Sequence, residues 1–293
     1  MRSSIFSGDN VILGTVCKIT TNKYKIFCEG EYYVIPARGI IKLQGGGIKV
    51  GDTVVFDNGV IEKVEPRSSY YPRTNVANVT LINIVIAPLP EPDYLLVDKL
   101  IAEAYAGGAK VAVTVNKADT GLSVYNYCKE NYLNAVDAIF SVSAETGEGI
   151  DALVGYMRGN FTAFAGQSAV GKTSLINRIF GTDKAVNGLS EKTLRGRHTT
   201  TSREIHFADG LAVIDTPGFS SLELSGVKSD ELDKLYKEFS PYVGKCYYIG
   251  CSHTAEPDCL IKEAVANGGI SSDRYSRYRQ IYKEIKENEK HRY

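Results

Sequence analysis

Hydrophobic positions along the chain change rhythm twice. Up to about residue 66 they come in short β-rich runs: Val11–Ile19, Tyr24–Cys28, Tyr32–Pro36, Thr53–Phe56 and Val60–Val64. Turn-forming stretches such as Glu29-Gly30-Glu31, Gly45-Gly46-Gly47 and Asp57-Asn58-Gly59 separate them. About five strands at that spacing predict a small all-β barrel, of the oligonucleotide/oligosaccharide-binding (OB) type or an SH3-like one. Glu65–Pro72 reads as a linker. From about residue 73, strands and helices alternate. Leu81–Ala87 is a nearly continuous apolar run, as for a strand buried on both faces. Asp93–Ala106 carries Leu96, Leu100 and Ala104 at helical spacing and ends at Gly107-Gly108. Val111–Val115, Ala138–Val142, Phe161–Ala165 and Leu211–Ile214 read as further strands, and Asp151–Met157 and Thr173–Phe180 as helices. That alternation predicts a parallel α/β sheet. Beyond residue 223, Ser229–Phe239 and Ser272–Lys290 predict helices, the second with Tyr278, Tyr282 and Ile285 as a packing stripe. Arg274, Arg277, Arg279, Lys283 and Lys286 around that stripe are either a solvated face or phosphate contacts.

Composition narrows this little. The 293 residues allow two or three domains, and 43% hydrophobic with 23% charged residues is ordinary for a globular protein. Formal net charge is zero, so global charge argues neither for nor against nucleic acid. No apolar run approaches the length of a membrane span, and residues 1–10 have no apolar core of a secretory signal. Six cysteines in this length do not suggest a disulfide scaffold, and a reduced, cytoplasmic compartment fits.

The chemistry is concentrated in a few short segments. Gly166-Gln167-Ser168-Ala169-Val170-Gly171-Lys172-Thr173 has the form G-x-x-x-x-G-K-[ST] of a phosphate-binding loop, with Ser174 next to it. Its glycines let the backbone turn its N–H groups inward. Lys172 supplies a point charge for the β- and γ-phosphates, and the Thr173 hydroxyl can ligate Mg²⁺. A strand before it and a helix after it place the phosphates on a helix N-terminus, where unpaired N–H groups favour anions. Asn116-Lys117-Ala118-Asp119 follows an apolar strand, where parallel sheets put their ligands. A carboxylate at Asp119 can accept from the ring N–H and the exocyclic amino group of guanine. Adenine lacks that donor pair, and sites of this kind discriminate by roughly 10⁴. Lys117 can lie along the base, and Asn116 can tie this loop to the phosphate loop. Ser143-Ala144-Glu145 ends another strand and is either a base-contacting loop or a simple helix cap with Ser143.

Gly181–Thr201 is a long polar stretch in the place of a first switch, and Thr200, with Thr199 and Thr201 as neighbours, is the candidate Mg²⁺ and γ-phosphate sensor. Asp215-Thr216-Pro217-Gly218 follows a strand. Asp215 would hold Mg²⁺ through water, and the Gly218 N–H would bind the γ-phosphate. Phe219 stands where Ras-type GTPases carry a water-positioning Gln. A phenyl ring cannot orient water, so hydrolysis would rely on His198, the switch backbone or a partner, and unassisted turnover is expected to be slow. Conventional GTPases place the phosphate loop first. Here Asn116–Asp119 and Ser143–Glu145 precede Gly166–Thr173, which is a circular permutation joined at Arg158-Gly159-Asn160. Asp215 onward therefore leads into the C-terminal segment, and loss of the γ-phosphate is expected to pull on it. In that segment Cys246, Cys251, His253 and Cys259 supply three thiols and an imidazole, a full set for a tetrahedral structural Zn²⁺.

Taken together these residues resemble the circularly permuted GTPases of small ribosomal subunit biogenesis, the RsgA/YjeQ group. The resemblance rests on Asn116–Asp119, Gly166–Thr173, Gly196–Thr201, Asp215–Gly218 and Cys246/Cys251/His253/Cys259, and covers most of the chain. It implies a multidomain fold: an OB-type β-barrel over residues 1–66, a circularly permuted α/β P-loop GTPase over 67–222, and a helical zinc-binding domain over 223–293. It further implies a monomeric cytoplasmic GTPase that uses Mg²⁺ with GTP and GDP. The small (30S) ribosomal subunit would stimulate hydrolysis, its rRNA would be bound, and the action would fall late in its maturation. A nucleotide-sensing RNA-binding module with incidental hydrolysis, and a P-loop ATPase or kinase, are the competing readings.

Overall fold

The computed structural model describes residues 12–39, 41, 46–181, 204–215, 224 and 226–290. Five strands, β1 (Ile12–Ile19), β2 (Tyr24–Cys28), β3 (Glu31–Ile35), β4 (Thr53–Asp57) and β5 (Val60–Val64), pair antiparallel in the order β3-β2-β1-β4-β5. A parallel bridge between Ala37 and Ile61 closes the sheet: the Ile61 N–H donates to the Pro36 carbonyl (2.9 Å) and the Arg38 N–H to the Ile61 carbonyl (3.2 Å). That closure makes an OB-type barrel, filled by Val16, Ile26, Val54, Phe56 and Ile61.

The expected linker is packed structure. Arg67 donates twice to the fully buried Asp52 (2.7 and 2.9 Å) and once to the Gly47 carbonyl (2.7 Å). A short hairpin follows, β6 (Tyr70–Tyr71) and β7 (Val76–Ala77), with Tyr71 buried. Residues with this many buried partners cannot act as a free tether, which composition alone did not reveal.

The central sheet runs β10 (Ala138–Ser141), β9 (Lys110–Val115), β8 (Leu81–Ile86), β11 (Phe161–Ala165), β13 (Leu211–Asp215) and β12 (Ile205–Ala208). Only β12 is antiparallel to its neighbour. Side chains of β8 alternate between faces. Ile82, Ile84 and Ile86 meet helices α1 (Tyr94–Ala106) and α2 (Ser123–Tyr132), while Leu81 and Val85 meet α3 (Ile150–Met157) and α4 (Lys172–Ile179). All six β8 residues are therefore buried. The barrel shares this core: Cys17 and Val50 pack with the α1 face, the rings of Phe27 and Phe207 stack at 4.1 Å, and Glu204 accepts from both Lys18 and Lys25 (2.7 Å each).

The C-terminal part contains α5 (Leu260–Ala266) and α6 (Ser272–Lys290). The helix expected over Ser229–Phe239 is instead two 3₁₀ turns, Leu232–Leu235 and Lys237–Phe239, with Tyr236 extended between them. Asp233 explains part of this, because its carboxylate takes the Lys234 N–H (2.9 Å) and competes with the helical ladder. Tyr278 and Ile285 of α6 are buried as a packing stripe. Arg274 and Arg277 do not form a free basic face: Arg274 is buried against Asp98 and Glu238, and the half-buried Arg277 is ion-paired to Asp98. No helix among the described residues is long and apolar enough to cross a membrane.

Candidate functional site

Because the strands run parallel, the loops after β8, β9, β10, β11 and β13 gather at one end of the sheet. The loop after β11 is Gly166–Gly171. Gly166 has φ +122°, and a Cβ there would lie 2.2 Å from the Val85 carbonyl oxygen. Gly171, φ +93°, caps α4, and its Cβ would lie 2.3 Å from the Asn116 amide nitrogen. Only glycine fits either place. Ala169 adopts φ +63° between them, and Val170 is fully buried. The Lys172 ammonium reaches back to the carbonyls of Gly166 (2.8 Å) and Gln167 (2.6 Å). Burial lowers its pKa, partly offset by Asp215. The Thr173 hydroxyl donates to the Asp215 carboxylate at 3.3 Å, because β11 and β13 are paired and end side by side. A phosphate oxygen could replace the Lys172 contacts, and Thr173 with Asp215 forms an oxygen pair of the kind a hard divalent cation prefers.

Asn116 is buried and joins three segments. Its amide donates to the Val170 carbonyl (2.9 Å) and its oxygen accepts from the Ala144 N–H (3.1 Å). Lys117, in a left-handed conformation, donates to the Leu89 (2.6 Å) and Ala169 (3.2 Å) carbonyls. Asp119 accepts from the Ser143 hydroxyl, which in turn accepts the Thr146 N–H (3.1 Å). Ser143 thus acts as a loop cap and as an anchor for the Asp119 side chain at once. The structure brings Asn116, Lys117, Asp119, Ser143, Ala144 and the phosphate loop together at one end of the central sheet. His198, Thr200 and Gly218, with Thr199, Thr201 and Phe219, lie outside the described residues.

Cys246, Cys251, His253 and Cys259 form a second cluster, their ligand atoms all within 4.8 Å of one another. The Cys246 sulfur lies 3.6 Å from His253 Nδ1 and 4.0 Å from the Cys259 sulfur, and Nδ1 is 3.4 Å from Cys259. Tetrahedral zinc bonds imply sulfur–sulfur separations of about 3.8 Å and sulfur–nitrogen separations of about 3.5 Å. The cluster fits that ion. His253 is buried, and its Nε2 faces Asp233 at 3.4 Å, the outer carboxylate that commonly orients a metal-bound imidazole.

The model of the RsgA GTPase family matches residues 64–225. The small ribosomal subunit biogenesis GTPase RsgA of Thermotoga petrophila is 36% identical over 271 residues, covering 87% of this chain and 90% of that protein. The protein of the same name from Caldanaerobacter subterraneus is 37% identical over 284 residues, covering 90% and 95%. This chain belongs to the RsgA GTPase family. The crystal structure of YjeQ from Thermotoga maritima superposes with a TM-score of 0.82 at 32% identity, covering 94% of this chain and 99% of that one. YloQ, described as a circularly permuted GTPase, gives 0.80 at 25% identity, covering 98% and 99%.

Within this RsgA-family framework, one residue that matters to the site, and the side-chain partners of two others, were not foreseen from sequence. Asp233 behind His253 stands 20 positions away, with no local signal. Gln167, expected to contribute backbone, also uses its side chain: it donates to the Glu91 carbonyl (3.1 Å) and accepts the Asp93 N–H (2.9 Å). Ser143 as the partner of Asp119 follows only once β9 and β10 are known to be adjacent.

Proposed function

We propose that this chain hydrolyses GTP on the small ribosomal subunit late in that particle's maturation, binding the subunit and its rRNA with GTP and leaving after hydrolysis. Family membership supports the reaction, and the names of the RsgA relatives support the particle. The observation that carries the nucleotide assignment is the Asn116 side chain. It links the loop bearing Asp119 to the phosphate loop and to Ala144, so segments in permuted order meet, as the sharing of one ligand requires. In this reading Asp119 accepts from the guanine ring N–H and amino group, while Lys117 lies along the base. The Ala144 N–H lies beside the base oxygen, with Ser143 holding Asp119. The backbone of Gly166–Ser174 cradles the phosphates, and Lys172 leaves its loop carbonyls for the β- and γ-oxygens. Mg²⁺, held by Thr173 and Asp215, would neutralise charge on the transferring phosphoryl group. Thr200, His198 and Gly218 keep their sequence-based roles as γ-phosphate sensor, candidate water-orienting group and γ-phosphate N–H donor. Zn²⁺ on Cys246, Cys251, His253 and Cys259 is structural, since four protein ligands leave no open position. The divisions 1–66, 67–222 and 223–293, the monomeric state and the cytoplasmic location belong to the same reading.

The test is phosphate release from GTP by the purified chain, with and without small subunits. Stimulation by subunits, abolished in Lys172→Ala and Asp119→Ala, is the expected result. Equal rates with and without subunits would remove the ribosomal part. ATP competing with labelled GTP as well as GTP itself does would remove the guanine site.

A further inference from the structure

The C-terminal helix α6 is bolted to the side of the GTPase that carries the base- and phosphate-binding loops. Two routes lead there. The first starts at the phosphate loop. Gln167 is cross-linked by its side-chain amide to the Glu91 carbonyl and the Asp93 N–H, and Asp93 caps α1 by accepting the Leu96 N–H (2.9 Å). Five residues on, Asp98 is fully buried and ion-paired to both Arg274 and Arg277 of α6. The Arg274 guanidinium lies 4.8 Å from the ring centroids of both Tyr132 and Tyr236. The second route starts at the base-reading loop, which passes within four residues into α2. The Tyr127 hydroxyl donates to Asp273 (2.9 Å) and accepts from Arg277 (3.2 Å), and the Tyr132 hydroxyl accepts from Arg277 (3.1 Å). The routes are tied at both ends. Lys117 holds the Leu89 carbonyl, and the Tyr94 and Tyr127 rings lie 4.3 Å apart.

We infer that Asp98, Arg274 and Arg277 are positioning residues for the nucleotide: docking of α6 fixes α1 and α2, and through them Gln167 and the Asn116–Asp119 loop. This deepens the guanine-site reading above and rests on it. None of these contacts involves Asp215, so the coupling acts on base and phosphate-loop binding that GTP and GDP share. Docking of the C-terminal part therefore tunes both affinities by one factor, and by reciprocity either nucleotide tightens the docking. The coupling runs through interlocked buried charges, which are costly to separate singly. It is a different path from a pull on the segment after Asp215.

The experiment uses the full chain with Arg277→Gln, the milder Tyr127→Phe and, in parallel, Asp119→Ala. Dissociation constants for fluorescent GDP and a non-hydrolysable GTP analogue are measured with KM and kcat. Arg277→Gln is expected to weaken both ligands about 5- to 30-fold, in the range of ordinary site–site coupling. The ratio of the two affinities stays within about twofold, KM rises and kcat holds within about twofold. Tyr127→Phe, which loses one hydroxyl and keeps the ion pairs, shifts both affinities about two- to threefold the same way. In the wild type, GDP and the GTP analogue slow amide exchange along α6 equally. A loss confined to the GTP analogue overturns the inference. So does a fall in kcat with KM unmoved, which is what a purely structural role produces, or unchanged affinities in Tyr127→Phe should Arg277→Gln fail to fold. If Asp119→Ala keeps full GTP affinity, the guanine site itself is wrong. If Asp119→Ala loses affinity while Arg277→Gln keeps it, only this inference falls.

Discussion

Replacing Asn116 by Ala removes two hydrogen bonds from a residue that is 2% exposed. The amide donates to Val170, which is fully buried, so its carbonyl is left with no partner for that bond. The oxygen accepts the Ala144 N–H, which is left unpaired as well. Each orphaned group costs about 1–3 kcal/mol when water cannot reach it. Ala144 is half-buried and partly recoverable by solvent, so the sum is about 2–4 kcal/mol. At roughly 2–4 °C per kcal/mol for a domain of 150–250 residues, the melting temperature should fall by about 4–16 °C. The loss also frees the phosphate loop from the Asp119 loop, so GDP affinity should drop more than tenfold. Both effects are read in one assay, thermal unfolding with and without saturating GDP. Ligand stabilisation follows RT ln(1 + [L]/Kd), so the GDP-induced shift shrinks by about 1.4 kcal/mol for each tenfold weakening. A variant melting within about 2 °C of wild type with an undiminished GDP shift would refute the stitching role.

Purified chain should contain one zinc per molecule by atomic absorption, and Asp233→Asn should weaken zinc retention against a chelator by about 10- to 100-fold. Retention unchanged in that variant would show that Asp233 is not an outer-shell partner. Gly166→Ala should abolish GTP binding, since its Cβ would lie 2.2 Å from the Val85 carbonyl oxygen at a φ that alanine resists; isothermal titration showing wild-type affinity would contradict this. Glu103 has a buried carboxylate oxygen without a hydrogen bond, and burial lifts its pKa from 4.5 to about 7. For an acid with a raised folded pKa, the ionised form destabilises the native state. The contribution is therefore absent below pH 4.5 and grows as pH rises through about 7. Glu103→Gln should thus be near neutral in melting temperature at pH 4.5 and stabilising at pH 8, and a stabilisation that is the same at both would be inconsistent with burial as its cause.

The loops at the ends of the central strands were legible because their chemistry is local: each motif lies directly after an apolar strand. The barrel was legible to within two residues at each strand end, because turn residues punctuate it. Its closure was not, since Ala37 and Ile61 meet only in three dimensions. The fates of Arg274 and Arg277 were misread for the same reason, their partner Asp98 standing 176 and 179 positions away. A signal did exist. Helix α1 is apolar on more than one face, and Leu95 and Ala102 pack with the C-terminal core while Leu100 and Ala104 pack on the sheet. A helix apolar on two sides must be covered on both. The pattern therefore announced a second neighbour without naming it. The break at Tyr236 was invisible because Asp233 serves His253 as well as the Lys234 N–H.

The stacked Phe27 and Phe207 rings, with Glu204 gripped by Lys18 and Lys25, have an evolutionary corollary. A grafted barrel lacking those lysines would strand a half-buried carboxylate, and one lacking the phenyl ring would leave its mate bare to water. Exchange of N-terminal modules between relatives must therefore carry the marginal hairpin strand along, so the two inherit as one unit although about 180 positions of chain separate them.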